Sequence, residues 1–385
     1  MVVKKILSGL MICATVILTS CAGDYFNWDL ERSNPNDNPG TGSSSGTGGT
    51  TGTGGTAGGT GGTAGGGTST GGTTGGTTAP ILNDLNQIQF VDNTTAYAVG
   101  TGVVIKSIDG GVKWVKINTA NNLNFTAVYF ANASIGYLGG NDQYYSYLFR
   151  TVDGGLTWQQ LTRYWFQNER NEVTGIFASP TGERVVALIN QYPNATQVYG
   201  RMVYSSNSGS TWNTLTASRQ AGFNSADLQN GLLFIGGNSY WTGSVYRTSV
   251  YTSSFLANGS LDLTENMAAQ VNNNPVSILQ LDMVSNFGFA TTNDGRFAIS
   301  SDSGKNWTLK SLPAGIASLN LNAILFTSNT VGYIGTSSGL IIKTEDSGLT
   351  WSTAFQAPSE ITDLALRPDG KIAAVGTRGL VRIIN

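Results

Sequence analysis

Ten side chains in one region of this sequence have the chemistry of a binding surface: Tyr144, Tyr145, Arg163, Tyr164, Trp165, Arg170, Tyr192, Arg219, Tyr240 and Trp241. Aromatic rings offer a large apolar area with a polar tip, and guanidinium groups add donors that stack on those rings. Such a set fits a protein, peptide or sugar, and it fits equally the packing of loops onto a scaffold. Three carboxylates share the region, Asp142, Glu169 and Asp227. Two carboxylates about 5–10 Å apart could hydrolyse a glycoside, but nothing in the spacing of these three marks a pair. The chain has no histidine. That excludes a His general base, a Ser-His-Asp triad and a His-ligated metal site. No catalytic residue, metal or cofactor is expected, and any enzyme built here would rest on carboxylates, Tyr or Lys.

The elements that must position these residues are written in a repeated octapeptide. SIDGGVKW (107–114), TVDGGLTW (151–158), SSNSGSTW (205–212), SSDSGKNW (300–307) and TEDSGLTW (344–351) share Ser or Thr, then Asp or Asn, Gly and Trp at fixed spacing. The acid or amide at Asp109, Asp153, Asn207, Asp302 and Asp346 can bond backbone N–H groups two residues ahead and close a turn. Gly111, Gly155, Gly209, Gly304 and Gly348 supply a positive φ. Trp114, Trp158, Trp212, Trp307 and Trp351 open the next strand and can be buried between sheets. Ser107 begins the first copy. These acids are committed to their own turns.

Upstream of each copy lie paired β-branched, alternating segments such as AYAVG…VVIKS (96–107) and GYIGT…LIIKT (332–344), which read as strands. The turn acids are spaced 44, 54, 95 and 44 residues apart, so one repeat has lost its octapeptide. YTSSFLANGSLDL (251–263), with Asn258-Gly259 as a hairpin turn, is its expected remnant. A seventh repeat breaks off after VRIIN. The expected fold is all-β, a seven-bladed β-propeller of four-stranded antiparallel blades. PILNDL (80–85) is expected to finish the last blade and join the two ends.

The S/T-x-D-x-G-x-x-W pattern resembles the Asp-box, or BNR repeat, whose turns join the third and fourth strands of propeller blades. AYAVGTGVVIKSIDGGVKW and VGYIGTSSGLIIKTEDSGLTW also resemble photosystem II assembly-factor-like propellers. That resemblance covers essentially 80–385 and implies the fold more than a function. Sialidases carry Asp-boxes too, with an Arg-Ile-Pro motif that this sequence does not contain.

The amino-terminal region has its own signals. Lys4 and Lys5 precede a short apolar stretch, ILSGLMICATVIL (6–18), which suits a signal peptide over 1–20. LTSC (18–21) resembles the lipobox of bacterial lipoproteins and implies acylation at Cys21, opening a lipidated stretch over 21–38. Residues 39–79 are almost entirely Gly, Thr, Ser and Ala, a coil with an r.m.s. reach of roughly 35 Å. The domain would begin at 80. The net charge of −2 falls to about −4 without Lys4 and Lys5, and no basic stripe points to nucleic acid.

In a four-stranded blade, the loop between the second and third strands shares a face with the connection to the next blade. These loops are long only in 139–147, 190–201 and 236–244. The resulting expectation is a cell-envelope module, tethered to a membrane through Cys21, that presents an aromatic face on blades 2–4 to a protein or polysaccharide. The alternatives are a glycoside hydrolase and a self-associating surface protein.

Overall fold

The computed structural model describes residues 81–384, apart from 118, 120–121, 165–168, 217–220, 242–245, 255–263 and 269–275. Seven antiparallel sheets follow one another along the chain, each formed by consecutive strands. They are the blades of a propeller. The first, innermost strands are Leu85–Phe90, Asn124–Phe130, Arg170–Ala178, Phe223–Gln229, Ile278–Val284, Leu321–Phe326 and Ile361–Leu366. Each packs on the next, and the seventh packs back on the first. The core is correspondingly divided into clusters between blades. One of them joins Leu85, Ile88 and Phe90 of blade 1 to Ala373 and Val375 of blade 7.

Four strands per blade is the pattern. Blade 4 adds the two-residue strand Tyr240–Trp241, paired with the start of Tyr246–Ser254. Its fourth strand is Thr264–Ala268, and Asn258-Gly259 lies outside the described residues. Blade 7 departs from expectation. Among the described residues its sheet holds three strands, the last being Val381–Ile384. Residues 81–84 are not a fourth strand, Leu85 already belongs to blade 1, and Pro80 lies outside the described residues. The reason is local. Gly379 donates its N–H to the Asn83 carbonyl at 2.9 Å, and Arg378 donates to Asp84 Oδ1 at 2.9 Å. These bonds draw 81–84 across the turn Thr377–Gly379 and on to the inner strand.

Each inner strand pairs within its sheet on one side only, so its other edge must be satisfied from elsewhere. Side chains of the preceding blade supply the partners. Gln87 accepts from Val128 N (2.7 Å), Asn141 from Val173 N (2.7 Å), Asn190 from Phe223 N (2.7 Å) and Asp363 from Ile88 N (3.0 Å). At a lower level Gln89 accepts from Phe130 N (2.6 Å), Asp227 from Met283 N (3.0 Å), and Asp282 from Phe326 N.

The five octapeptides are the turns between third and fourth strands. The Ser or Thr hydroxyl does the short-range work. Ser107 Oγ donates to Asp109 Oδ1 (2.9 Å) and accepts from Gly111 N (2.9 Å). The acid reaches further than two residues: Asp109 Oδ1 accepts from Val112 N (3.1 Å) and Lys113 N (2.8 Å). The third copy does the same through an amide, Asn207 Oδ1 accepting from Thr211 N at 2.9 Å. The indole of Trp114 then donates to the Gly111 carbonyl at 3.0 Å.

Each octapeptide glycine is also a contact between blades. Gly348 has φ +83°, and a Cβ there would stand 2.3 Å from Phe297 of blade 5; one at Gly304 would stand 3.4 Å from Phe234 of blade 4. Gly111, Gly155 and Gly209 likewise face Ile383, Tyr97 and Leu161 of the preceding blade. The repeated sequence therefore fixes a turn and a packing distance together.

The turn acids and the inner-strand acids titrate in opposite directions. Hydrogen bonds from Thr157 and Asn306 hold Asp153 and Asp302 down at about 2. Their contribution is complete above the ordinary carboxylate range and is lost as pH falls toward 2. Burial pushes Asp227 up to about 6, and burial together with the Asp227 charge raises Asp282 well above the ordinary range. Their ionisation opposes folding, so this contribution is complete below about pH 4 and is lost as pH rises, through about 6 for Asp227. Asp227→Asn, which keeps the acceptor oxygen, should raise stability by about 2 kcal/mol at pH 8 and change it little at pH 4. Urea unfolding at the two pH values measures the difference. An equal effect at both would contradict it.

Candidate functional site

The upper face, opposite the octapeptide turns, carries the loops singled out by length. In blade 2 the loop after Gly136–Asn141 is closed by Asp142. Its Oδ1 accepts from the N–H groups of Tyr144 (2.7 Å) and Tyr145 (2.6 Å), and its Oδ2 accepts from the Tyr147 hydroxyl (2.7 Å). The Tyr147 hydroxyl is pushed up to about 12, first by burial and then by Asp142. This turn holds Tyr144 outward, 48% exposed. Tyr145 lies flatter. The exposed Arg163 guanidinium sits 4.9 Å above its ring, and Tyr147 lies 6.0 Å away.

Blade 3 meets this loop directly. Asn171, 1% exposed, donates to the carbonyls of Tyr144 and Glu169, each at 2.9 Å. Beside it Arg170 stacks 4.9 Å from the Tyr192 ring and pairs with Glu172 at 2.9 Å, while the Tyr192 hydroxyl also donates to Glu172 (3.3 Å). Burial raises Tyr192 far above the ordinary tyrosine value, and Glu172 adds to the shift. Gln191 donates to Glu169 and accepts from Arg201. Arg170 and Glu172 share a face because they stand two apart on a strand. Arg170 and Tyr192 are among the residues expected from the sequence, and Glu172, Gln191 and Arg201 are not. The R-N-E alternation at 170–172 was the available signal.

The structure thus brings together Tyr144, Tyr145, Arg163, Arg170 and Tyr192 across blades 2 and 3. Tyr164 ends the fourth strand of blade 2, Gln159–Tyr164, half-buried, with its hydroxyl raised by burial. Tyr240 is 7% exposed and belongs to the packing of the blade 4 hairpin rather than to its surface. Trp241 on the same hairpin is 54% exposed, with its ring 4.9 Å from Tyr246. Trp165 and Arg219 lie outside the described residues.

The three candidate carboxylates do not form a set. Asp142 is committed to its turn, and Glu169 is held by Gln191. Asp227 is not on the loop-rich face. It sits near the far end of Phe223–Gln229 and binds the backbone of blade 5. Among the described residues no three Cys, Asp or Glu side chains converge as metal ligands would.

No protein-family model and no curated protein matches the chain. Solved structures do. A structure described as YCF48 bound to D1 peptide is 18% identical, with a TM-score of 0.57, over 79% of this chain and 93% of that one. YCF48 from Cyanidioschyzon merolae is 14% identical, with a TM-score of 0.58, over 80% of this chain and 97% of that one. At these identities the likeness shows a shared fold, the seven-bladed propeller.

Proposed function

We propose that the chain is a non-catalytic binding or assembly module whose upper face, on blades 2–4, takes a segment of a protein partner. One observation carries the reading. Tyr144 and Trp241 stand half-exposed on loops that are held by hydrogen bonds or strand pairing. Rings already held in place lose little conformational freedom on binding, which suits them as anchors. The stacked Arg163 and Arg170 add donors beside the Tyr144 loop. A protein of the same fold, described as bound to a D1 peptide, supports a peptide as ligand class.

The module is proposed to belong to the cell envelope, a reading supported by the apolar stretch 6–18 and LTSC (18–21). In this proposal Cys21 carries the acyl chains, and the Gly/Thr-rich residues 39–79 hold the propeller off the membrane.

Two experiments test these readings. On an array of extended peptides beside an array of glycans, the full chain should be captured by peptides. Tyr144→Ala and Trp241→Ala should each weaken that capture at least tenfold, about 1.4 kcal/mol, without changing Tm. Capture by glycans alone, or capture indifferent to both substitutions, would overturn the proposal. For the anchor, a bacterium expressing the chain should incorporate labelled palmitate into it and retain it in the membrane fraction. Cys21→Ser should abolish both, and membrane retention by that variant would contradict the anchor.

A further inference from the structure

Among the described residues blade 7 is the one sheet with three strands, and Val381–Ile384 forms its outer edge. The phase of the ladder decides which backbone groups that edge offers. Gly376 donates to the Leu380 carbonyl at 3.0 Å, and Ala374 and Ile372 stand opposite Arg382 and Ile384. Antiparallel strands exchange bonds at every second residue. The backbone groups of Arg382 and Ile384 therefore face Ile372–Gly376, and the N–H and C=O of Val381 and Ile383 point outward. A row of alternating donors and acceptors of this kind accepts an extended chain.

The other blades indicate which side chains that chain must carry. Val104, Met202 and Ile341 hold the place of Val381 in blades 1, 3 and 6, each three residues before the Ser or Thr that opens the octapeptide. They pair with Ile117, Leu215 and Phe355 of the fourth strand. Each of these three packs into the cluster shared with the following blade. Val381 lies with Trp114 of blade 1 in the cluster that joins blades 7 and 1, and among the described residues no fourth-strand residue of blade 7 enters it. A large apolar residue thus belongs opposite Val381.

The next position departs from the pattern. Ile105, Val203 and Ile342 are 0%, 0% and 1% exposed, whereas blade 7 has the exposed Arg382 there. Its guanidinium makes no ion pair among the described residues. A residue opposite Arg382 forms a non-hydrogen-bonded pair, in which side chains approach most closely, so a carboxylate there complements it.

We propose that blade 7 takes an extended segment of a partner protein as its fourth strand, antiparallel to Val381–Ile384. Three consecutive residues of that segment, opposite Ile383, Arg382 and Val381 in turn, are any residue, then Asp or Glu, then a large apolar residue. The edge is separate from the upper face and does not rest on the function proposed for it. A second copy of the chain fits less well. The register that pairs Val381 of each copy with Ile383 of the other sets Arg382 against Arg382, and like charges directly opposite are destabilising.

Two blocked peptides test this on the full chain. One is VKWVKIN, the blade 1 sequence at 112–118, in which Lys116 stands opposite Ile105. The other carries Lys116→Glu. At low salt the glutamate peptide should bind about fivefold more tightly than the lysine peptide, and should slow hydrogen exchange at the Val381 and Ile383 amides. Arg382→Glu should reverse the preference, and Tyr144→Ala should leave it as it is. Binding of neither peptide, equal binding of both, or no reversal in Arg382→Glu would overturn the proposal. Loss of binding in Tyr144→Ala would overturn it as well, by assigning the peptides to the upper face. So would protection of Val381 and Ile383 before any peptide is added. Protection independent of protein concentration would mean that the chain covers its own edge, and protection rising with a dimeric mass would assign the edge to a second copy.

Discussion

Seven hydrogen bonds between neighbouring blades form an unbroken circuit at the upper ends of the inner strands. Asn86 donates to Phe125 O (2.7 Å), Thr126 to Val173 O (2.6 Å), Asn190 to Phe223 O (2.8 Å) and Asn224 to Ile278 O (2.7 Å). Thr291 donates to Leu321 O (3.4 Å), Asn322 to Ile361 O (3.0 Å) and Thr362 to Leu85 O (2.6 Å), which closes the ring. Five of the donors are the extra residue of a β-bulge in an inner strand. A bulge turns that side chain out of the alternation and toward the next blade. Blades 3 and 5 fill the gap differently. Their bulged residues are Thr174, whose hydroxyl finds no partner, and the apolar Leu279, and the second-strand residues Asn190 and Thr291 donate instead. The requirement belongs to the circuit, not to any one sequence position.

The rest of the molecule hangs on that circuit. At the opposite end the octapeptide glycines set how closely one blade approaches the next, and the aromatic and aliphatic residues facing them fill the wedge between sheets. Both ends fix the spacing of the blades, so the loops above blades 2 and 3 meet at a defined distance. Asn171 bonds the Tyr144 carbonyl across two blades close to Val173, which Thr126 and Asn141 tie to blade 2. The candidate binding face is thus built on the closure of the ring.

Much of this was legible in the sequence. The octapeptide joins a local turn to a tryptophan at fixed spacing, so it repeats visibly, and the spacing of its acids counted the blades even where one copy was lost. The long loops of blades 2–4 were readable for the same reason. The closing contacts were not. Asn86, Thr126, Asn322 and Thr362 share a place in three dimensions but no motif, since either an amide or a hydroxyl serves. Segment 80–85 looked like a closing strand because it adjoins the first repeat. Asn83 and Asp84 instead satisfy the turn of blade 7. Tyr240 was grouped with Trp241 because both lie in the long segment 236–244, although successive residues of a strand face opposite sides. Asp227 was assigned to the wrong face because sequence alone does not say how far along its strand a residue lies.

The circuit can be tested with a pair of substitutions of one kind. Thr362→Val removes the hydroxyl that joins blade 7 to blade 1 and leaves the Leu85 carbonyl without that partner. Thr174→Val makes the same chemical change at the bulged position of blade 3, where the hydroxyl has no partner to lose. Urea unfolding should show Thr362→Val destabilised by about 1–3 kcal/mol and Thr174→Val unchanged or slightly stabilised. Equal effects of the two would mean that the inter-blade bonds do not hold the ring, and would contradict the account.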